Sequence, residues 1–222
     1  MYSIFFSKIE EGIDEALDKL KEIIKPSSKV AILPWAFPVE IDSNQLLNNY
    51  FKKGSNRYNR YINSIKKLNI NEKDIFICDC YKQTHKQLKE VIAKCDIILF
   101  PGGNPEMLLN NILHRTELYY DLKRSKKIII GESAGAVMQF KRYFVTEENN
   151  YYNYFAFYDG IGSIDDKFYI DVHTRKDDKY RSVLKDVANR YNKKVYAIYD
   201  NGCMIYDRKM NSIVFTSNVD II

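Results

Sequence analysis

A glycine-flanked serine stands at the end of a short apolar run. The segment Gly131-Glu132-Ser133-Ala134-Gly135-Ala136 follows the predicted strand Lys127–Ile130. Its Gly-x-Ser-x-Gly pattern is typical of a nucleophile elbow, a sharp strand-to-helix turn that holds the serine hydroxyl above the edge of a sheet. Small residues are needed because the turning backbone crowds the neighbouring strand. Ser133 is therefore the candidate nucleophile for acyl transfer, and a plain glycine-rich turn is the alternative.

A serine nucleophile needs a base, which is usually a histidine oriented by an acid. The chain has three histidines. His173 follows the predicted strand Phe168–Val172 and is the candidate base. His85 stands at a predicted helix start and is interpreted as a surface residue, whereas His114 lies in a polar segment and is interpreted as a helix-end residue.

The best candidate for the acid is Asp200, which ends the predicted strand Val195–Tyr199 and precedes Asn201-Gly202. Asp171 is close to His173 on the same strand and could hardly orient its ring. Three loop residues remain as rivals, namely Asp159, Asp165 and Asp166. The order Ser133, His173, Asp200 differs from that of the α/β-hydrolases, in which the acid precedes the histidine. The order therefore argues against that fold and weakens an esterase interpretation.

A second glycine-containing turn follows the predicted strand Asp96–Phe100. It contains Gly102, Gly103 and Asn104 between two prolines. Paired glycines let backbone N–H groups face a cleft, which suits an oxyanion hole. The segment is too short for a phosphate-binding Walker loop, and an ordinary tight turn is the alternative.

Short β-branched runs alternate with longer helical patterns. The predicted strands are Tyr2–Phe6, Lys29–Leu33, Asp74–Cys78, Asp96–Phe100, Lys127–Ile130, Phe168–Val172, Val195–Tyr199, Met204–Tyr206 and Ser212–Phe215. Apolar residues at helical spacing predict helices around Ile13–Ile24, Tyr58–Leu68 and Leu88–Ile92, the last with a capping box at Thr84, and a fourth helix covers about Asp177–Arg190. The alternation predicts an α/β fold with three layers, a mostly parallel twisted sheet covered by helices on both faces.

The end of the chain predicts an antiparallel hairpin, with Asn201-Gly202 as the turn between Val195–Tyr199 and Met204–Tyr206. No repeat or linker divides the 222 residues, so we expect one domain over residues 1–222. In an open parallel sheet, ligands bind outside the carboxyl ends of the strands. Ser133, His173 and Asp200 all follow strands, which is where such a site would form.

The composition excludes several classes of protein. The net charge is +5, but the basic residues are scattered among acids, which argues against nucleic-acid binding. No apolar run is long enough to span a membrane, and the first residues do not resemble a signal peptide, so we expect a cytoplasmic protein that does not bind membranes. The four cysteines lack metal-binding spacing and are interpreted as reduced core residues.

The combination of these features resembles the peptidase E (aspartyl dipeptidase) family of serine peptidases, whose fold is similar to that of class I glutamine amidotransferases. The resemblance rests on Gly102-Gly103-Asn104 before Leu108-Leu109, on the elbow around Ser133, and on His173 and Asp200 in that order. The opening Val30–Pro34 also resembles the first buried strand of the family. Amidotransferases carry cysteine at the position of Ser133, which disfavours amidotransfer.

The resemblance implies a hydrolase of small peptides that needs no cofactor and no metal. Ser133 would form an acyl-enzyme, His173 would transfer the proton, and Asp200 would fix the imidazole tautomer. The backbone N–H groups of Ala134 and Gly103 would stabilise the oxyanion. The protein would be a monomer or a homodimer.

Three features depart from the family pattern. Its dipeptidases often use Glu as the third member, whereas this chain has Asp200. They recognise an N-terminal Asp through basic residues after the histidine, where this chain offers Arg175 or Arg181 around Asp178. Glu132 beside the nucleophile would repel an acidic side chain and could bind a free α-amine, and the alternative is a salt bridge to a nearby Lys. We therefore expect dipeptidase or aminopeptidase-like activity that is not strictly specific for Asp.

Alternative interpretations remain. A cyanophycinase-like exopeptidase would share the fold and triad but needs an open groove, and a non-catalytic binding or regulatory member would have kept only the fold. The aromatic stretch Tyr151–Tyr158 is interpreted as a half-buried hairpin, with a cleft wall or an interface as alternatives. Trp35 follows a strand end and could line a pocket or lie at the edge of the core.

Overall fold

A mixed β-sheet lies at the centre of the computed structural model, which describes residues 1–37, 49–146, 152 and 154–222. The strands of this sheet are β1 (Tyr2–Phe6), β2 (Val30–Ile32), β3 (Ile75–Ile77), β4 (Ile97–Phe100), β5 (Ile128–Glu132), β10 (Cys203–Asp207) and β11 (Ser212–Phe215). Five neighbouring strands are parallel, in the order β1, β5, β4, β2, β3. Strands β10 and β11 extend the β1 edge in antiparallel orientation.

Helices cover both faces of this sheet, because its central strands are apolar on both sides. Residues such as Ile97 and Leu99 pack against α1 (Ile9–Ile23) and α2 (Asn56–Lys66). Their neighbours Ile98 and Phe100 face the opposite side. That side is covered by α3 (His85–Lys94), α4 (Pro105–Leu113), α5 (Thr116–Lys123) and α6 (Ala134–Val137). The predicted three-layer α/β architecture is confirmed.

Strands from the second half of the chain form a smaller, three-stranded sheet. It consists of β8 (Tyr169–Val172), β9 (Val195–Ile198) and β12 (Val219–Ile221), with β8 and β9 parallel and β12 antiparallel to β9. Helix α7 (Asp178–Tyr191) packs against this sheet through Leu184 and Val187. The Asp177 carboxylate caps its first turn by accepting a hydrogen bond from the Tyr180 N–H at 2.8 Å.

A separate two-stranded ribbon precedes this sheet in the chain. It pairs β6 (Arg142–Val145) with β7 (Ala156–Asp159) in antiparallel orientation. The second half of the aromatic stretch thus lies in a ribbon strand, as the hairpin interpretation expects. Tyr151 and Asn153 of that stretch lie outside the described residues.

The C-terminal antiparallel hairpin is present, but its strands differ from the predicted ones. It is formed by β10 and β11, whereas β9 pairs with β8 and β12 in the smaller sheet. A turn does form before β10, where the Gly202 N–H donates to the Tyr199 carbonyl at 2.8 Å. The predicted pairing across Asn201-Gly202 is wrong because β10 pairs instead with β1, with Cys203 opposite Phe6.

Trp35 belongs to the core. Its ring is fully buried and its Nε1–H donates to the Cys78 carbonyl at 2.8 Å. All four cysteines are buried free thiols, as the sequence predicts. Among the described residues, no helix is long and apolar enough to cross a membrane.

Candidate functional site

Ser133 occupies a strained turn between β5 and α6. Its φ of 50° and ψ of −114° lie outside the regions that serine ordinarily adopts. A Cβ atom on Gly131 would meet the Gly135 carbonyl oxygen at 2.1 Å, and one on Gly135 would meet the Phe100 carbonyl oxygen at 2.1 Å. Both glycines of the Gly-x-Ser-x-Gly pattern are therefore required by close backbone approach, as in a nucleophile elbow.

His173 begins the loop after β8 and reaches the serine. Its Nε2 lies 2.9 Å from Ser133 Oγ. The residue has a positive φ of 57°, and its backbone N–H donates to Ser7 Oγ at 2.9 Å. The Ser7 hydroxyl in turn donates to the Ile198 carbonyl at 2.7 Å. This buried serine thus fixes the loop backbone that carries the imidazole.

Asp200 lies on the other side of the imidazole. Its Oδ1 is 2.7 Å from His173 Nδ1, and its Oδ2 is 2.8 Å from Lys8 Nζ. Burial alone would raise the pKa of Asp200, but hydrogen bonds from Lys8 and His173 outweigh it and hold the pKa below its usual value. The bond to Asp200, with a smaller contribution from Glu11, raises the pKa of Lys8 above its usual value. Asp200 is therefore ionised at neutral pH.

The three side chains open into a cleft of about 450 Å³. Ser133, His173 and Asp200 all line it, together with Lys8 and Asp171. The remaining walls are largely apolar and include Val137, Phe144, Val145, Tyr152, Ile170, Val172 and Tyr180. The aromatic stretch therefore also contributes a cleft wall through Tyr152. A cavity of this volume accommodates a small organic molecule or a short peptide.

Two backbone N–H groups beside the serine are candidates for stabilising negative charge. Gly103 and Ala134 line the same cleft as Ser133. Within the described residues, neither of their N–H groups donates a hydrogen bond to the protein. Gly103 has a φ of 143°, and a Cβ there would meet the Ala36 carbonyl oxygen at 1.7 Å. These two N–H groups are therefore the candidates for an oxyanion hole.

Glu132 is adjacent to the nucleophile in sequence but points to the opposite face of β5. Its carboxylate is 2% exposed and lies 3.1 Å from an Arg60 guanidinium nitrogen. It also accepts hydrogen bonds from the Tyr61 hydroxyl and from the N–H groups of Ile9 and Gly102, the last two at 3.2 Å each. Glu132 does not line the cleft, at odds with the expectation that it binds substrate. The alternative, a salt bridge within the protein, describes its contacts, but the partner is Arg60 and not a lysine.

Three further predicted residues also have other contacts. Gly102 donates its N–H to Glu132 and Tyr61, so this N–H is not available to an oxyanion. The Asn104 side chain caps α4 by accepting a hydrogen bond from the Met107 N–H at 3.1 Å. Arg181 forms a 2.8 Å ion pair with Asp220 and lines a neighbouring cavity of about 340 Å³. None of the three lines the serine cleft, although Gly102 lies beside Ser133, where a Cβ on the glycine would meet Ser133 Cβ at 3.2 Å.

The rival residues do not join the triad geometry. His85 pairs with Glu117 on the surface, and His114 ends α4 with its Nδ1 2.6 Å from the Asn110 carbonyl. Asp159 ends β7 and is exposed. Asp171 lines the cleft but bonds to Tyr180 and Thr174 and not to the imidazole.

Sequence reasoning missed Lys8, Ser7 and Asp171 as site residues. Ser7 and Lys8 directly follow β1, so the rule that sites lie at the carboxyl ends of strands could have found them. For Asp171, the sequence indicated only that the residue is too close to His173 to orient the imidazole ring as the triad acid. Among the residues that the structure describes, no cluster of three or more His, Cys, Asp or Glu side chains could hold a metal ion.

A family model for peptidase family S51 matches residues 9–213. The chain belongs to peptidase family S51. It is thus a serine-type peptidase, and the resemblance to peptidase E is confirmed.

The S51 peptidase is also similar in fold to two solved structures. One, provisionally named a peptidase E protein, is from Listeria monocytogenes EGD-e, with 16% identity, a TM-score of 0.66 and 97% of each chain covered. The other is a peptidase from an acI-B1 actinobacterium, with 12% identity, a TM-score of 0.56, and 100% of this chain and 86% of that chain covered. A search of curated proteins finds no match.

Proposed function

We propose that the S51 peptidase hydrolyses small peptides through Ser133, His173 and Asp200. The observation that carries the proposal is the continuous chain of hydrogen-bond distances, 2.9 Å from Ser133 Oγ to His173 Nε2 and 2.7 Å from His173 Nδ1 to Asp200 Oδ1. These distances lie in the range required for proton transfer between nucleophile and base.

Acylation begins with attack of Ser133 Oγ on the scissile carbonyl carbon. His173 Nε2 accepts the serine proton, while its Nδ1–H stays bonded to ionised Asp200, which stabilises the imidazolium. The N–H groups of Ala134 and Gly103 donate to the oxyanion, and removal of one such donor typically costs about 2.7–4 kcal/mol of transition-state stabilisation.

Collapse of the tetrahedral intermediate breaks the C–N bond, and His173 gives its proton to the leaving amine. A water molecule then attacks the acyl-enzyme. His173 accepts a proton from that water, and the second collapse returns it to Ser133 Oγ and releases the acid product.

The size and lining of the cleft support short substrates with dipeptidase or aminopeptidase-like cleavage. The cavity of about 450 Å³ holds few residues, and its apolar walls suit uncharged side chains. Arg181, one candidate for binding an acidic side chain, is held by Asp220 in the neighbouring cavity. Arg175 lines the cleft and also forms an ion pair with Asp177. We therefore propose a specificity broader than Asp–X.

The cytoplasm is the proposed compartment. Its support is the four buried free cysteines, since disulfides form and persist mainly in oxidising compartments.

The test is hydrolysis of Asp-, Ala-, Leu- and Arg-p-nitroanilide by the wild type and by Ser133→Ala, with fluorophosphonate labelling in parallel. We expect turnover of the Ala substrate at a rate comparable to that of the Asp substrate. We also expect a loss of at least about 10⁴-fold in kcat in Ser133→Ala. Ser163→Ala is the matched control, because Ser163 bonds to the Leu122 carbonyl away from the cleft. A strong Asp preference would contradict the proposed specificity, and absence of both turnover and labelling would favour a non-catalytic protein.

A further inference from the structure

Asp171 is a buried acid in the wall of the serine cleft. It lies on β8, two residues before His173, and is only 7% exposed. Its carboxylate accepts hydrogen bonds from the Tyr180 hydroxyl at 2.9 and 3.1 Å and from the Thr174 hydroxyl. The proposed mechanism gives this side chain no role.

The two partners of Asp171 are neutral hydroxyl groups. Among the residues that the structure describes, no Lys, Arg or His side chain forms an ion pair with this carboxylate. A buried carboxylate without a cation is costly, because its charge loses hydration that neutral donors replace only in part. Burial raises the pKa of Asp171 to about 6, although the bonds from Thr174 and Tyr180 and the nearby His173 oppose the shift.

A cation entering the cleft would relieve this cost. A carboxylate has about four acceptor positions, and two hydroxyl donors leave capacity for a further N–H group. Peptide substrates with a free N-terminus always carry one cation, the α-ammonium group, next to the first peptide bond.

The position of Asp171 fits this group better than it fits a long basic side chain. Two residues span at most about 7 Å of chain, so the backbone of Asp171 lies close to that of the proposed base. The α-nitrogen of the first residue is two bonds from the carbonyl carbon that Ser133 attacks, whereas a guanidinium would lie several bonds further away.

We propose that Asp171 is an anionic subsite that binds the free α-ammonium group of the substrate. This inference rests on the proposed peptidase function and deepens it, because it assigns cleavage to the first peptide bond of a chain. Tyr180 and Thr174 orient the carboxylate toward the cleft, and acetylation of the substrate amine removes the charge that it binds.

The test compares wild type with Asp171→Asn on Ala-p-nitroanilide and on p-nitrophenyl acetate, which has no amine. Asn keeps the size and an acceptor oxygen for the two hydroxyl groups. We expect kcat/KM for Ala-p-nitroanilide to fall about 30- to 100-fold, mainly through KM, with ester hydrolysis and fluorophosphonate labelling changed less than about threefold. We expect N-acetyl-Ala-p-nitroanilide to be a poor substrate for both proteins.

Asp186→Asn is the matched control, because it removes the same charge from an exposed position on α7 and leaves both rates unchanged. Equal losses on amide and ester would overturn the inference and assign Asp171 to positioning His173. A loss confined to Arg-p-nitroanilide would overturn it in favour of a side-chain subsite. If the wild type neither hydrolyses any of these substrates nor reacts with the fluorophosphonate, the result contradicts the proposed function itself and not only the role of Asp171.

Discussion

Lys8 and His173 bind opposite oxygens of the Asp200 carboxylate. Lys8 Nζ lies 2.8 Å from Oδ2, and His173 Nδ1 lies 2.7 Å from Oδ1. A second link, from the Lys8 N–H to the Asp200 carbonyl at 3.2 Å, joins the same two segments of chain. The lysine therefore holds the Asp200 carboxylate in place beside the imidazole and helps to keep its pKa below the usual value.

Replacement of Lys8 by Met is expected to lower kcat about three- to tenfold. The side chains of Lys8 and Asp200 are 36% and 43% exposed, which reduces the effect below that of a buried charged pair. Lys8 lowers the pKa of Asp200, so its loss moves that pKa upward. The variant thus loses ionised Asp200 at a higher pH than wild type does, and its rate relative to wild type decreases further on the acidic side of the pH profile. The measurement is kcat/KM as a function of pH.

Lys8→Arg should recover most of the rate, because it keeps a cationic donor. Glu11→Gln removes the other partner of Lys8, 2.9 Å away, and should leave the profile unchanged. If Lys8→Met and wild type have the same rates across the pH profile, Lys8 does not position the acid.

Replacement of Gly103 by Ala is expected to disrupt the oxyanion loop. The new Cβ would lie 1.7 Å from the Ala36 carbonyl oxygen, at a φ of 143° that L-residues rarely adopt. The backbone has to move, and with it the N–H proposed as an oxyanion donor. We expect kcat to fall about 10²- to 10³-fold, the usual effect of losing one oxyanion donor. The measurement is steady-state kinetics together with urea unfolding.

Gly54→Ala is the matched control for this variant. Gly54 also has a positive φ, of 83°, but the position that its new methyl group would occupy has open space within 4 Å. Backbone strain should reduce its stability by about 1 kcal/mol and leave kcat unchanged. Equal kinetic losses in the two glycine variants would show that general destabilisation, not the oxyanion loop, determines the rate.

Local patterns predicted most of the strands and the proximity of Ser133, His173 and Asp200. The near-continuous apolar runs of β4 and β5 require burial on both faces, and the carboxyl ends of parallel strands meet at one edge of a sheet. Ser133 and His173 follow such strands, so their proximity follows from topology. Pairing between strands that are distant in sequence is harder to predict. Asn201-Gly202 predicts a turn, but no local pattern indicates that β9 and β10 belong to different sheets.

Side-chain direction limited the prediction of the site. Successive residues of a strand point to opposite faces, so Glu132 faces Arg60 below the sheet edge while Ser133 turns into the cleft. Lys8 was missed because its role depends on Asp200, which is far away in sequence. The short strands β6 and β12 were not predicted, since they are defined by their partners more than by their own composition.

Replacement of Glu132 by Gln is expected to lower stability without changing substrate preference. The carboxylate is buried against Arg60 and Tyr61, and loss of one partner of a buried ion pair leaves the other charge uncompensated. Because Gln keeps one acceptor oxygen, we expect a loss of about 2–4 kcal/mol in the free energy of unfolding. The ratio of kcat/KM for Ala- and Asp-p-nitroanilide should stay constant, since Glu132 does not line the cleft.

Glu10→Gln is the control for Glu132→Gln. Glu10 also pairs with Arg60, at 3.5 Å, but its side chain is 43% exposed, so its loss should cost less than about 1 kcal/mol. A change in the ratio of kcat/KM for Ala- and Asp-p-nitroanilide in Glu132→Gln, but not in Glu10→Gln, would show that Glu132 contacts the substrate.

Replacement of Asp171 by Asn is expected to stabilise the protein at neutral pH while it weakens substrate binding. Burial raises the folded-state pKa of Asp171 to about 6 from an ordinary value of 3.8. The folded protein therefore binds more protons than the unfolded chain between these values, and this group's contribution to stability decreases as pH rises through that window. Above about pH 6 the full cost applies, up to about 3 kcal/mol.

The variant has no titrating group at this position, so its stability advantage over wild type should be largest at pH 7.5 and decrease toward pH 4.5. Urea unfolding of both proteins at the two pH values measures this difference, and other titrating groups cancel in the comparison. An advantage that is the same at both pH values would mean that the carboxylate is not ionised at a cost in the folded protein. In that case binding of the substrate α-ammonium group would relieve no desolvation cost at Asp171. The affinity predicted for that group would then have no physical basis.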